Sequence, residues 1–211
     1  MKNQIIIYGA GGHAGCLIDI IEQEGCYQIS GMLDDAYPSK ASVWDYPILG
    51  NEEKLADLHA SGIHLAIVAI GNNAIRYQKT EILRQHDFNL IAIRHPFSSI
   101  ARQVSYGPGT SIFHGAVIDP YVQIGKGVIV NKQVLIGHEA VIGDFVHLAP
   151  GVNCGSGVRI GSRTLIGIGA TILPRLTIGA DVTVGAGSVV TRDIKDKTTV
   201  IGTPAKSISS S

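Results

Sequence analysis

The side chains of this 211-residue chain best suited by type and spacing to move a proton are His138, directly followed by Glu139, and His147 nine residues further on. An imidazole of ordinary pKa, near ~6.5, is mostly neutral at pH 7 and can accept a proton from an attacking nucleophile. Glu139 has three readings: it orients that ring, it selects its tautomer, or it is a solvated charge. A second set of residues suits phosphates. The stretch YGAGGHAG, residues 8–15, sets Gly9, Gly11, Gly12 and Gly15 after an apolar run and before an amphipathic one, where backbone N–H groups and a helix N-terminus can hold an anion. Asp34 and Asp35 end the next apolar run about 20 residues on, where a carboxylate can take a ribose or base hydrogen bond. Cys16, Cys26 and Cys154 are odd in number and lack metal-ligand spacing, so they read as small buried thiols without a disulfide framework.

Two architectures must position these groups. From Gln4 to about Ile93, the apolar runs QIIIY, YQISGML, HLAIVAI and NLIAI alternate with helix-like stretches at His13–Gln23, EEKLADLHA and IRYQKTEILRQ. That is the pattern of four short parallel strands joined by helices. Pro38 and Pro47 bracket a loop, and Asn51 is placed to cap the helix after it. Four strands fall short of the six of a full dinucleotide fold. The glycine loop therefore fits a mononucleotide carrier better than a nicotinamide cofactor or a purely structural turn.

From Ile100 onward the period is six, and it runs for sixteen hexads. Counted from Tyr106, first positions such as Ile112, Ile118, Val130, Ile136 and Cys154 are nearly all aliphatic, and fifth positions from Thr110 to Ile194 are small or β-branched apart from Leu176. Glycine recurs at the second position, as at Gly107, Gly125 and Gly137, where a chain turning every six residues needs positive φ or close backbone approach. Neither a helix nor a plain alternating strand produces this pattern; a parallel β-helix of hexapeptide repeats does. The expected organisation is an α/β Rossmann-like half domain at 1–96 and a β-helix at 97–211. His138, at a third position, should be exposed.

The hexads VNKQVLIGHEAVIGDFVHLAPG at 130–151, with IGTPAK at 201–206, resemble the left-handed β-helix hexapeptide acyltransferases. Together with YGAGGHAG, LDD at 33–35, AIGNNAIR at 69–76 and the His138–Glu139 pair, the whole chain resembles a narrower group, the sugar acetyltransferases of bacterial glycan synthesis. Their type member N-acetylates a UDP-4-amino-4,6-dideoxy sugar in bacillosamine biosynthesis, and sialic acid O-acetyltransferases are relatives. The resemblance implies acetyl transfer from acetyl-CoA to the amine of a nucleotide-linked 4-amino sugar, UDP-linked foremost, with sialic acid O-acetylation as the alternative. It implies a left-handed coil of three hexads, hence about five coils. It carries nucleotide-sugar contacts onto Gly11, Gly12, His13, Asp34, Asp35 and Gly71, the role of base onto His138, and acetyl-CoA contacts onto His147, Ile168 and Ala186. The backbone at Gly155–Ser156 would serve the thioester oxyanion. Two departures stand out: the family often has Ser where this chain has Gly11, and Gly where it has Ala186.

On a coil of three hexads, His147 lies half a coil from His138, so the two cannot share a face of one chain. A β-helix is also a convex prism with no cleft for a long ligand, which calls for sites between chains; the resemblance makes the assembly a homotrimer. A zinc hydratase using His114, His138 and His147, and a non-enzymatic scaffold, are the competing classes. Lys plus Arg and Asp plus Glu both number 17, so no basic surplus points to nucleic acid or anionic lipid. No apolar run approaches the ~20 residues that span a bilayer, and the N-terminus lacks a signal-peptide pattern, so a cytoplasmic protein without a metal is expected.

Overall fold

The computed structural model describes residues 2–37 and 42–208; Pro38, one end of the expected loop, lies outside them. The chain forms two compact units that divide after Pro96. Among the described residues no helix is long and apolar enough to cross a membrane.

The first unit runs β1 (Asn3–Tyr8), α1 (Gly12–Glu24), β2 (Tyr27–Leu33), β3 (Ser42–Val43), β4 (Tyr46–Gly50), α2 (Leu55–Ala60), β5 (Leu65–Val68), α3 (Asn73–Gln85) and β6 (Asn89–Leu90). Its sheet has the order β3-β4-β2-β1-β5-β6. Ile5, Ile6, Ile7 and Tyr8 are all buried, as a central parallel strand covered on both faces requires. Helix α1 buries Ala14, Leu17, Ile18 and Ile21 and stops at Gly25, whose φ of 70° closes a left-handed cap onto the Ile21 carbonyl. Asn51 caps the turn before α2, accepting from the Glu53 N–H.

The count of four strands fails here. The residues YPILG, which begin at the Pro47 end of the expected loop, form β4, which pairs in parallel with β2. Pro47 faces Ser42 of the two-residue strand β3 at the sheet margin, where a missing N–H costs little. The sheet thus has six strands, five of them parallel, rather than four.

The second unit is a left-handed β-helix. Sixteen two-residue strands, from Ser99–Ile100 to Val189–Val190, follow one another, one per hexad. They stack into three faces: Ser111, Ile129, His147, Leu165 and Thr183 begin successive strands of the first, Val117, Leu135 and Asn153 lie on the second, and Gln123, Val141 and Arg159 on the third. The inward residues Ile112, Ile136, Val134 and Cys154 fill the prism. Buried Thr110 and Thr164 at fifth positions stay satisfied, their hydroxyls donating to the Gly125 and Gly179 carbonyls.

The structure separates the two reasons for glycine. Second-position glycines have no positive φ; they are glycine because the next coil passes too close. A Cβ on Gly137 would lie 2.6 Å from the Ser156 nitrogen, and one on Gly143 2.8 Å from that of Ser162. Positive φ falls instead at every fourth position from Gly109 to Gly187, whether glycine or not: Tyr121 (65°), Gln133 (56°), Glu139 (61°) and Arg175 (63°) all adopt it. The left-handed backbone of Glu139 is therefore a property of the coil. Gly143→Ala, at the corner between the third and first faces, is expected to cost about 2 kcal/mol through backbone overlap, read as a lower denaturation midpoint at unchanged slope.

The hexad register also slips at the C-terminal end. Ile194 pairs with Ile178 and Thr199 with Thr183, each 16 residues apart rather than 18. Ile194 therefore takes a first position, not the fifth assigned above. In the shortened coil Asp193 accepts from the Thr177 N–H, where the regular coils use a carbonyl, and Asp196 accepts from that of Ala180 as Asp144 does from that of Lys126. With these rungs the prism has six coils rather than five. Of the three cysteines only Cys154 is fully buried, and burial pushes its thiol up to about 12; Cys16 is half-buried and Cys26 exposed.

Candidate active site

The six residues expected around a nucleotide sugar line one cleft. Gly11, Gly12, His13, Asp34, Asp35 and Gly71 border a cavity of about 390 Å³ together with Tyr8, Gly9, Ile70 and Ile75. It opens at the carboxyl ends of β1, β2 and β5, where the chain leaves β1 for β2 on one side and returns to β5 on the other. That reversal is where open α/β sheets hold ligands. Gly9, at φ 106°, lets the β1 loop run against the β5 loop; a Cβ there would meet Ile70 at 2.9 Å. At Gly11 and Gly12 a Cβ would meet nothing within 4 Å. Gly11 opens α1 without a side-chain cap, and no acidic residue sits in the first turn, so the N-terminus keeps its attraction for an anion.

The two aspartates differ in role. Asp34 braces the loop, accepting from the Ala10 N–H at 2.6 Å and the Ala36 N–H at 2.9 Å. Asp35 stands in a charged cluster that the sequence reading did not foresee: the Tyr8 hydroxyl donates to it at 2.7 Å, and Lys79 approaches its two oxygens at 3.0 and 2.8 Å. Burial opposes ionisation of Asp35, but hydrogen bonds from Lys79 and Tyr8 outweigh it and hold the carboxyl below its usual range. Arg76, also unforeseen, is buried in α3 and donates to the Ile70 and Gly71 carbonyls and to the Asn73 side chain, which secures the loop after β5. Burial lowers its guanidinium to about 9.

On the prism, His138 and Glu139 occupy the corner between the second and third faces. Both are exposed, His138 by 57%, and the imidazole Nδ1 lies 3.8 Å from a Glu139 carboxylate oxygen. Backbone bonds stack the corner: Glu139 N–H to the Pro120 carbonyl, Gly157 N–H to that of His138, and Arg175 N–H to that of Ser156. Ser156 thus sits one coil above His138. His147 is half-buried on the first face, its Nε2 3.4 Å from the Asn131 side-chain nitrogen. Ile168, 61% exposed, and Ala186 stack at the corner between the first and second faces, joined by the Gly187 N–H to the Ile168 carbonyl. One chain therefore keeps His138 apart from His147, Ile168 and Ala186. His114, at the first-to-second corner, does not converge with the other two histidines, and no three His, Cys, Asp or Glu among the described residues form a metal-binding group.

Comparison with known proteins accounts for both units. Residues 4–83 match the PglD N-terminal domain, and residues 157–192 match the bacterial transferase hexapeptide of six repeats. A perosamine N-acetyltransferase from Caulobacter crescentus, solved as a histidine-to-asparagine variant with CoA and GDP-perosamine, is 33% identical over 100% of this chain and 99% of its own, with a TM-score of 0.95. The chain belongs to the PglD-type hexapeptide-repeat sugar acetyltransferases. The acetyltransferase domain of PglB from Neisseria gonorrhoeae FA1090, solved with acetyl coenzyme A, is 34% identical over 99% of this chain and 100% of its own, at a TM-score of 0.92. WeeI from Acinetobacter baumannii AYE is similar at 26% identity, covering 98% of this chain and 100% of its own, with a TM-score of 0.86. A search of curated protein sequences found no match. In this PglD-type chain the signals of the cleft are the glycines and the Asp pair. Tyr8 and Lys79 carry no spacing motif of their own, since their meeting with Asp35 depends on β1, α3 and the end of β2 coming together.

Proposed function

We propose that the protein transfers the acetyl group of acetyl-CoA to the amine of a nucleotide-linked 4-amino-4,6-dideoxy sugar. The observation that carries this reading is the cleft, which gathers the glycine loop, the uncapped start of α1 and Asp35. The diphosphate would sit against the amides of Gly11–His13, while Asp35 accepts a hydrogen bond from the nucleoside. The chemistry would fall to His138. The amine attacks the thioester carbonyl, His138 takes the proton it sheds, and a backbone N–H at Gly155–Ser156 supports the oxyanion. Collapse expels the CoA thiolate, which recovers that proton from the imidazolium. Glu139, at 3.8 Å, favours the tautomer with the proton on Nδ1 and leaves Nε2 to act as the base.

Acetyl-CoA would lie along His147, Ile168 and Ala186. Because these stand apart from His138 in one chain, the working unit is a homotrimer in which one subunit supplies the base and its neighbour the CoA surface. A methyl group at Ala186 narrows that surface slightly against a glycine. Calorimetry tests the division of labour. Asp35→Ala is expected to weaken binding of the nucleotide sugar about 10- to 100-fold, the loss of a hydrogen bond to a charged group, and to leave CoA affinity unchanged. Titrating GDP-perosamine beside a UDP-4-amino sugar identifies the base; the reverse pattern, weak CoA and unaltered sugar, would mean that the two units have been given each other's roles.

A further inference from the structure

Lys79 is the least expected charge in the first unit. Its side chain is only 8% exposed, yet it projects from α3 into a cluster built from four separate elements. It reaches Asp35 beyond β2, Glu52 before α2 at 3.2 Å, and the face of the Tyr8 ring at the end of β1, 5.0 Å from the centroid. An ammonium group this enclosed is costly to bury unless fully paired. Here each of its neighbours is an acceptor or an aromatic face, and Tyr8 in turn donates to Asp35.

We infer that Lys79, assisted by Tyr8, is a positioning residue for the nucleotide sugar, clamping Asp35 through Oδ1 as an oriented carboxylate whose Oδ2 is left to accept from the ligand. The inference rests on the assignment of the cleft to that substrate. The count is direct. An ionised carboxylate offers about four lone-pair sites. On Asp35, Oδ1 accepts hydrogen bonds from Tyr8 and Lys79, while Oδ2 makes an ion-pair contact with Lys79 at 2.8 Å. The lone pairs of Oδ2 are the ones left to accept a donor of the ligand. The titratable groups around Asp35 are Tyr8 from β1, Lys79 from α3 and Glu52 from the turn before α2, with Asp34 next in the chain and His13 of α1 on the same cleft. Burial alone would lower the Lys79 pKa, but its bonds to Asp35, Tyr8 and Glu52 raise it above the ordinary range. Burial and the bond to Asp35 both raise that of Tyr8. Both therefore keep their protons across the working pH range and can only donate.

The test is steady-state kinetics from pH 5 to 9, using whichever of GDP-perosamine and the UDP-4-amino sugar the wild type binds. With the lysine in place Asp35 stays ionised throughout, so the sugar KM is expected to be flat on the acid side. In Lys79→Met, burial is no longer opposed by the ammonium, and the Asp35 pKa climbs. The sugar KM should rise about 10-fold at pH 7, the loss of a charge-assisted bond, and rise further as pH falls, with kcat and the acetyl-CoA KM unchanged. Lys79→Arg should restore the flat profile. If Lys79→Met does not fold, Tyr8→Phe carries the same test with a smaller rise. A sugar KM that stays at the wild-type value, or rises by a factor independent of pH, overturns the inference while Asp35→Asn still weakens sugar binding. An Asp35→Asn variant with wild-type sugar KM overturns the assignment of the cleft as well.

Discussion

His138→Ala should fold, assemble and bind both substrates while its kcat falls by about 10²- to 10⁴-fold, the range for removing a positioned base. Stability is spared because the ring is 57% exposed and packs against no core residue; its backbone carbonyl, which the variant keeps, makes the bond to Gly157. Rate is not spared, because an amine cannot complete its attack on a thioester while holding its proton, and without the imidazole no positioned group is left to take it. The residual activity of the variant should climb with pH as free amine becomes more abundant. Turnover within a few-fold of wild type at pH 7 would remove His138 from the chemistry and leave an amine that reacts in the form solution provides. Glu139→Gln divides the readings of Glu139: a carboxylate that orients the ring or selects its tautomer costs part of the rate when removed, a solvated one costs none.

The prism was legible almost residue by residue because its physics is one-dimensional. Each inward position repeats the environment of the one before, so Ile112, Ile118 and Ile124 report the same constraint and the period survives any single exception. It failed only where that repetition ends. After Val190 the chain advances by 16 residues between stacked neighbours, and the Asp193 and Asp196 carboxylates that permit this resemble surface charges in the sequence. The α/β unit was less legible. Strands β1, β2 and β5 announce themselves as continuous apolar runs, but β4 carries a proline and β3 has two residues; β4 exists because β2 offers an edge to pair with, and β3 because β4 does. The cleft divides in the same way. Gly11, Gly12 and the Asp pair obey a local spacing rule, whereas Tyr8 and Lys79 are ordinary residues in sequence and become a cluster with Asp35 only once α3 lies beside the ends of β1 and β2. Local chemistry could be read in advance; chemistry assembled from distant elements could not.

The sharpest consequence concerns assembly. His138 stands at the corner between the second and third faces, and His147 on the first face, in one ladder with Ile129 and Leu165. No side-chain rotation brings both to one thioester, since the filled core of the prism lies between them. If both serve a single acetyl transfer, each site takes His138 from one subunit and His147 from the next. Two inactive variants, His138→Ala and His147→Ala, should then complement each other. After subunit exchange at equal amounts, about one interface in four of a head-to-tail ring joins an intact His138 to an intact His147. Activity should therefore return to roughly a quarter of the wild-type value, and should vary with the mixing ratio as the product of the two fractions. Native mass spectrometry establishes that exchange has occurred. Mixed trimers that stay as inactive as either parent would mean that His138 and His147 do not meet across an interface, and that the CoA surface of the prism has to be sought on another face.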